Sequence, residues 1–588
     1  MIVRSIIKPS AYFDSVTLML MQRDVRSLPG VAEAGVVMGT AANKELLRDA
    51  GLMTAEIDVS RSDDLILSVA AETEEAATHA LARAEELLLR RPPPASGSAY
   101  RPKTIASAVR QLPGANVALI SVPGRFAAGV AREALDAQLH VMLFSDNVSL
   151  EDERALKAIA AGRGLLLMGP DCGTAIVSGA GLGFANRVRP GTIGVVGAAG
   201  TGMQVVTSLI HRAGAGISQA LGTGSRDLSG TIGGTSALSA LSVLAADPAT
   251  DVIVLISKPP DPQVGALLLA AAQRTEKPAV VVFVGATVPA GGGLHPAATL
   301  DEAARAAVRL ATGTEPVLAE PRALPAQEAA RLAPTQRYIR GLYGGGTLCY
   351  EALVLLARYV GPVHSNTPLT PSAALPSATR SMFHTVLDMG ADELMVGRLH
   401  PMIDSDLRIQ RLLREADDPE TAVLLLDVVL GYAANPDPSR DLAPAIEEAR
   451  HRAAAGGRWL PVVVTLCGTD DDPQNFQAQT DTLAEAGAIV ETAHSDAVRL
   501  AGLIAEATGS HGAPYRAGSI APAADAALSD ASQIAASLLA GAPRVINVGL
   551  GLFEESLRAQ GVEVLSVDWQ PPAGGKQKYI DLLNKLDA

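Results

Sequence analysis

Aromatic residues make up only 3% of this 588-residue chain, and cysteine occurs three times, at Cys172, Cys349 and Cys467. No two cysteines form a C-x-x-C pair, so neither a cysteine zinc site nor a disulfide framework organises the fold, and no metal is expected. No apolar run approaches the ~18 residues of a membrane span. The opening MIVRSIIKPSAYFD lacks the apolar core of a signal peptide. Positive charge is scarce: 48 Lys and Arg stand against 62 Asp and Glu, a formal net charge of −14. Nucleic acid and membrane are therefore not expected partners. The expected setting is cytoplasmic, and a small anionic substrate would have to be held by local positive features.

What the chain has in quantity is aliphatic surface and turns: 48% hydrophobic residues, 55 glycines and 37 prolines. Such a composition suits several layered α/β cores. Loose Pro/Gly/Ser stretches at 91–102, 312–335 and 509–523 mark linkers or domain edges. Within 1–91, strands at 31–38 and 65–70 alternate with helices at 15–28, 43–51 and 73–89. That order predicts a small ferredoxin-like or ACT-like α+β module. Asn43 and Lys44 either start one of its helices or reach a neighbouring site. From residue 102 the pattern changes to continuous apolar runs at 117–122, 140–145 and 164–169 between helices, which predicts a parallel sheet covered on both faces. This is the Rossmann-like unit, 102–189.

The strongest signal is a repeat. GAAGTGMQVV at 197–206 and YGGGTLCYEA at 343–352 are both a glycine turn followed by a helix-like run. Three further pairs follow in the same order: 246–256 with 417–427, 277–286 with 459–469, and 300–310 with 494–504. The chain thus reads as two copies of one flavodoxin-like domain, 190–312 and 335–510, followed by a C-terminal α/β tail, 524–588. In each copy the turn should follow the first strand and open the first helix, where unsatisfied N–H groups and the positive dipole end suit a phosphate or carboxylate. The candidate anion-binding residues are Gly200, Thr201 and Gly202, and Gly345, Gly346 and Thr347; the competing reading is two tight strand-to-helix turns with good N-caps. Thr201 and Gln204 have the spacing of a capping box.

Other candidates sit in loops. GRLHPMIDSD supplies Arg398 as an anion clamp, His400 as an acid or base, and Asp404. The competing reading is a solvated loop in which Arg and Asp pair with each other. Asp171 and Cys172 lie in a Gly-Pro-Asp-Cys-Gly turn that either borders a site or merely packs.

The segment ALISVPGRF, the turn GPDCG and the helix starts resemble the α-subunit of succinyl-CoA synthetase, with its V-P-x-x-F segment, G-P-N-C turn and S-G-T-L-T-Y-E-A helix start. TVLDMGADEL is similar to the carboxy-terminal domain of the β-subunit. Over nearly the whole chain the match, including AYFDSVTLM, VVMGTAANKELL and GRLHPMID, resembles the FdrA family. That resemblance implies that the Rossmann-like unit, 102–189, is a CoA-binding-type domain and that the two repeats are succinyl-CoA-synthetase-type domains. It implies a subunit of oxamate carbamoyltransferase in purine (allantoin) breakdown, converting oxalurate and phosphate to oxamate and carbamoyl phosphate. It implies companion subunits in a hetero-oligomer, no obligatory cofactor, and CoA only if the chain works as an acyl-CoA synthetase subunit. A non-catalytic anion-binding scaffold is a third reading. The chain departs from the synthetases in four places. The relay histidine is displaced to His295 within GGGLHPAATL, and Lys258 stands near the place of a synthetase glutamate. The amino-terminal βαβ unit with its CoA glycine loop is expected to be missing, as is an ATP-grasp segment. GLGLFEES at 549–556 looks like a dinucleotide turn, with Asp568 after the next strand, but Glu554 occupies its third glycine position.

Overall fold

The computed structural model describes residues 1–9, 15–61, 64–89, 101–316, 324–395, 398–524 and 532–572. Most of the expected linker at 91–102 and part of that at 312–335 lie outside the described residues. Among the described residues no helix is long and apolar enough to cross a membrane.

The N-terminal module is an antiparallel sheet in which Leu65–Ala71 lies between Ile2–Lys8 and Val31–Met38. The central strand is buried on both faces, and its side chains alternate between two cores as strand pleating requires. Leu65, Leu67 and Val69 meet the helices Ser15–Arg26 and Glu74–Leu89. Ile66 and Ala70 meet Leu47, Leu52 and Ile57 on the other side. The expected helix and strand order is present.

The Rossmann-like unit departs from expectation at both ends. Its strands Val117–Ile120, His140–Leu143 and Leu167–Met168 are parallel. Two further parallel strands, Val545–Val548 and Val564–Val567, complete the same sheet, with Val545–Val548 paired directly to Val117–Ile120. The βαβ unit expected to be missing from the amino-terminal side is thus supplied from the C-terminal segment. The strands of that segment are not an appended tail. At the other boundary, the hairpin Thr174–Val177 and Ala180–Gly183 leaves this unit and edges the next sheet.

The two repeats match strand for strand over five strands. The first sheet runs Leu294–Pro296, Ala279–Phe283, Val252–Ser257, Pro190–Gly197, Ile217–Gly222 and then the hairpin. The second runs Ile489–Glu491, Val462–Cys467, Thr421–Val429, Tyr338–Tyr343, Thr385–Asp388. In each, the first strand leads into the glycine turn and then the helix Gly200–Arg212 or Gly346–Val360. The repeats lock together reciprocally. Glu351 of the second accepts from the amide of Leu300 (2.8 Å), and Asp301 of the first accepts from the amide of Ser495 (2.7 Å). Glu351 also pairs with His494 at 2.6 Å, both fully buried.

Candidate functional site

A cavity of about 490 Å³ opens at the carboxyl ends of the strands, where the Rossmann-like unit and both repeats meet. That is where ligands bind in open parallel sheets. It brings together most of the residues singled out from sequence: Gly200, Thr201, Gly346 and Thr347 from the helix starts, Lys258, Asp171, Cys172, Arg398 and His400. Gly202 and Gly345 are placed differently. A Cβ on Gly202 would lie 2.8 Å from Thr347 Cγ2, and one on Gly345 would lie 2.8 Å from Thr201. These two glycines let the paired helix starts touch across the repeat interface. Asp404 lies outside the cavity, in a neighbouring groove, and accepts from the Asp406 amide at 2.9 Å. Among the described residues no ion pair joins it to Arg398. His295 lies on the short edge strand Leu294–Pro296, paired to Val280, and does not line the cavity. Asn43 and Lys44 are structural: Asn43 donates to Met38 O and Lys44 to Asp58 O and Ser60 O.

The helix starts are not equivalent. The helix Gly200–Arg212 has Ala199 as N-cap and no side-chain cap. The expected capping box does not form, because the helix begins before Thr201. Thr201 Oγ1 is buried without a partner, and the Gln204 amide is drawn to Asn186 Oδ1 and Leu430 O, both at 3.2 Å. Thr223, at the end of the neighbouring strand, also buries an unpartnered hydroxyl beside the cavity. Around the second turn, Asp427 accepts from the amides of Gly344 (2.7 Å) and Gly345 (2.8 Å), and Arg408 neutralises it at 2.9 Å.

Sequence reasoning missed Asp427, Thr223 and Asp388. Asp388 ends the strand Thr385–Asp388, lines the cavity, and accepts from the Gly390 amide at 3.0 Å. Burial raises its pKa to about 6, with Lys258 pulling the other way. The signal that identifies it is its position at the carboxyl end of an apolar strand. His400 accepts from the Met402 amide at Nδ1 (3.2 Å), which leaves Nε2 as the protonated, donating nitrogen. Burial lowers its pKa to about 4, so at neutral pH it offers a hydrogen bond and not an imidazolium proton. Cys172 is fully packed, and burial pushes its thiol up to about 12, which favours the packing reading over a nucleophile. Asp171 sits at φ 56° with its pKa raised by burial.

Residues 1–103 match the family described as "AllF, heavy metal-associated domain", 188–285 the CoA binding domain, and 342–504 the CoA-ligase family. The chain is 44% identical over 513 residues to YahF of Escherichia coli K12, covering 85% of this chain and 98% of that protein. It belongs to the FdrA family. This FdrA-family chain is also 31% identical to the mitochondrial succinate–CoA ligase [ADP-forming] subunit alpha-2 of Trichomonas vaginalis, over 30% of this chain and 59% of that one. Among solved structures, the apo dinucleotide-forming acetyl-coenzyme A synthetase 1 of Ca. Korarchaeum cryptofilum covers 67% of this chain and 84% of its own. Its TM-score of 0.27 and 17% identity are too distant to bear on function.

Two groups suggested by those descriptions can be tested against the residues. A heavy metal does not fit the N-terminal module: residues 1–103 contain no cysteine and one histidine, the exposed His79. Among the described residues no cluster could hold a metal ion. The nucleotide end of CoA does not fit the turn at 549–556. Glu554 is buried there in the first turn of the helix Gly551–Ala559, paired with Arg558 and 3.5 Å from Arg101. Its buried negative charge stands in the first turn, where a pyrophosphate would need a positive field. The CoA binding match falls instead on 188–285, and not on the Rossmann-like unit where a CoA-binding-type domain was expected.

Proposed function

We propose that this chain is a subunit of an acyl-group transfer enzyme that holds a small anionic substrate in the cavity between its three larger units. The observation that carries the reading is the convergence on one cavity of the uncapped helix start Gly200–Arg212, the unpartnered hydroxyls of Thr201 and Thr223, Lys258, neutral His400 and Asp388. The helix start and Lys258 would hold the substrate's carboxylate or phosphate. His400 Nε2–H would meet the oxyanion that develops as the acyl carbon is attacked. Asp388, with a pKa near 6, would hold or release the proton exchanged with the nucleophile or leaving group. Companion subunits and a cytoplasmic setting belong to the proposal.

The finer reaction has two readings. The matched CoA-ligase and CoA binding domains, and the relative named succinate–CoA ligase, favour an acid–thiol ligase subunit. The position of His295 outside the cavity and of Glu554 in the nucleotide turn favours a reaction without phosphohistidine or CoA, such as carbamoyl transfer from oxalurate to phosphate. The test is to assay the chain with its companion subunits, supplying either oxalurate and phosphate, or an acid, CoA and ATP. Carbamoyl phosphate formed without nucleotide selects the second reading, and thioester formation selects the first. Activity unchanged by Lys258→Met and Asp388→Asn would overturn both.

A further inference from the structure

A second cavity, about 390 Å³, lies between the N-terminal module and the segment that carries His400. The helix Ser15–Arg26 and the strand Val31–Met38 form one wall. Arg398 and Leu399 line this groove on one side and the main cavity on the other. Four guanidinium groups face it, from Arg23, Arg26, Arg398 and Arg408.

The acids of the groove are already engaged. Arg26 lies 3.5 Å from Glu33 and 3.2 Å from Asp406, and Asp404 accepts from the Asp406 amide. Donors remain in excess. Arg408 is 4% exposed and spends Nη1 on Asp427, while its Nε is buried with no hydrogen-bond partner. Among the described residues Arg23 makes only long contacts, 3.5 Å to Ile403 O and 3.6 Å to Asp24, and an electrostatic interaction with Asp404. Among the described residues, no ion pair involves Arg398. A buried guanidinium N–H without an acceptor is costly, and arginine forks match the geometry of carboxylate and phosphate oxygens. The groove has no cysteine or histidine, and its guanidinium groups favour an anion over a cation.

We propose that this groove is a second binding site, for a small oxyanion such as inorganic phosphate or a small dicarboxylate, gripped by Arg23, Arg398 and Arg408. It is independent of the substrate reading of the main cavity. Because Arg398 and Leu399 form the wall between the two, an anion in the groove bears directly on the segment that presents His400.

The test is calorimetric titration of the full chain with inorganic phosphate and, separately, with malonate. A saturable groove site for either probe, weakened about tenfold or more by Arg23→Glu and untouched by Gly200→Val, is the expected result. The Arg23 side chain is 37% exposed, so Arg23→Gln serves as a milder variant if the reversal fails to fold. No saturable binding of either probe, or binding that only Gly200→Val removes, overturns the proposal.

Discussion

The two glycine turns share one backbone plan and opposite electrostatics. In the first repeat the residue two places before Lys258 is Ile256, paired to Gly197; in the second the matching position is Asp427. A buried isoleucine side chain cannot accept a hydrogen bond, so the amides of the first turn find no carboxylate there. Asp427 instead takes two amides of the second turn and draws in Arg408. The neighbouring strand ends repeat the contrast. Gly222 ends its strand where a Cβ would strike Thr174 O at 2.3 Å, whereas Asp388 ends the equivalent strand. Both helices lack a side-chain cap, but only the second turn has its preceding amides taken up by a carboxylate and a second carboxylate, Asp388, at the adjacent strand end. Duplicating a helix start does not duplicate its electrostatic surroundings; the residue at the end of the adjacent strand sets them.

That contrast can be broken at its strongest point. Asp427→Asn leaves Arg408 buried without a counter-charge and removes one of two acceptors, and is expected to cost about 3–5 kcal/mol. Urea unfolding would measure it, and a loss below about 1 kcal/mol would mean that the second turn is not held by this carboxylate. Asp388→Asn should act in the opposite direction. Its pKa is raised on folding from an ordinary 3.8 to about 6, so the ionised form destabilises the native state above that range and the effect vanishes below about pH 4. The variant should therefore gain up to about 3 kcal/mol at pH 7 to 8 and nothing at pH 3.5. A gain independent of pH would refute the assignment. The smallest effect lies at the repeat contact. Gly202→Ala drives a methyl against Thr347 Cγ2 and should cost about 1–3 kcal/mol, largely restored by Thr347→Ser. Gly345→Ala should not be restored by Thr201→Ser, because Thr201 Cβ itself is 2.9 Å away. Equal rescue on both sides would show that the helix starts do not meet as described.

The repeat was legible because each copy carries the same apolar runs at the same spacing, and sheet order follows from them. The cavity was legible because glycine turns after strands face the carboxyl edge. What was not legible depends on groups distant in sequence. Nothing near Gly344 announces that Asp427, 83 positions on, consumes its amide. The depression of His400 comes from burial, first of all, and from Arg408. The capping box failed for a local reason of one residue: Thr201 is inside the helix and not before it. The strands at 545–548 and 564–567 read as a tail because pairing with residue 117 leaves no trace in local periodicity.

That last pairing sets a clock on biosynthesis. The strand Val117–Ile120 leaves the ribosome long before its partner Val545–Val548 is made. At about 5–20 residues per second the intervening chain takes roughly 20–85 s to appear. For that interval an apolar strand edge stands unpaired beside a nascent chain that is already folding two other sheets. A cell making this protein has to shield that edge, and a ribosome that stalls late in the message releases a product with an open, sticky sheet.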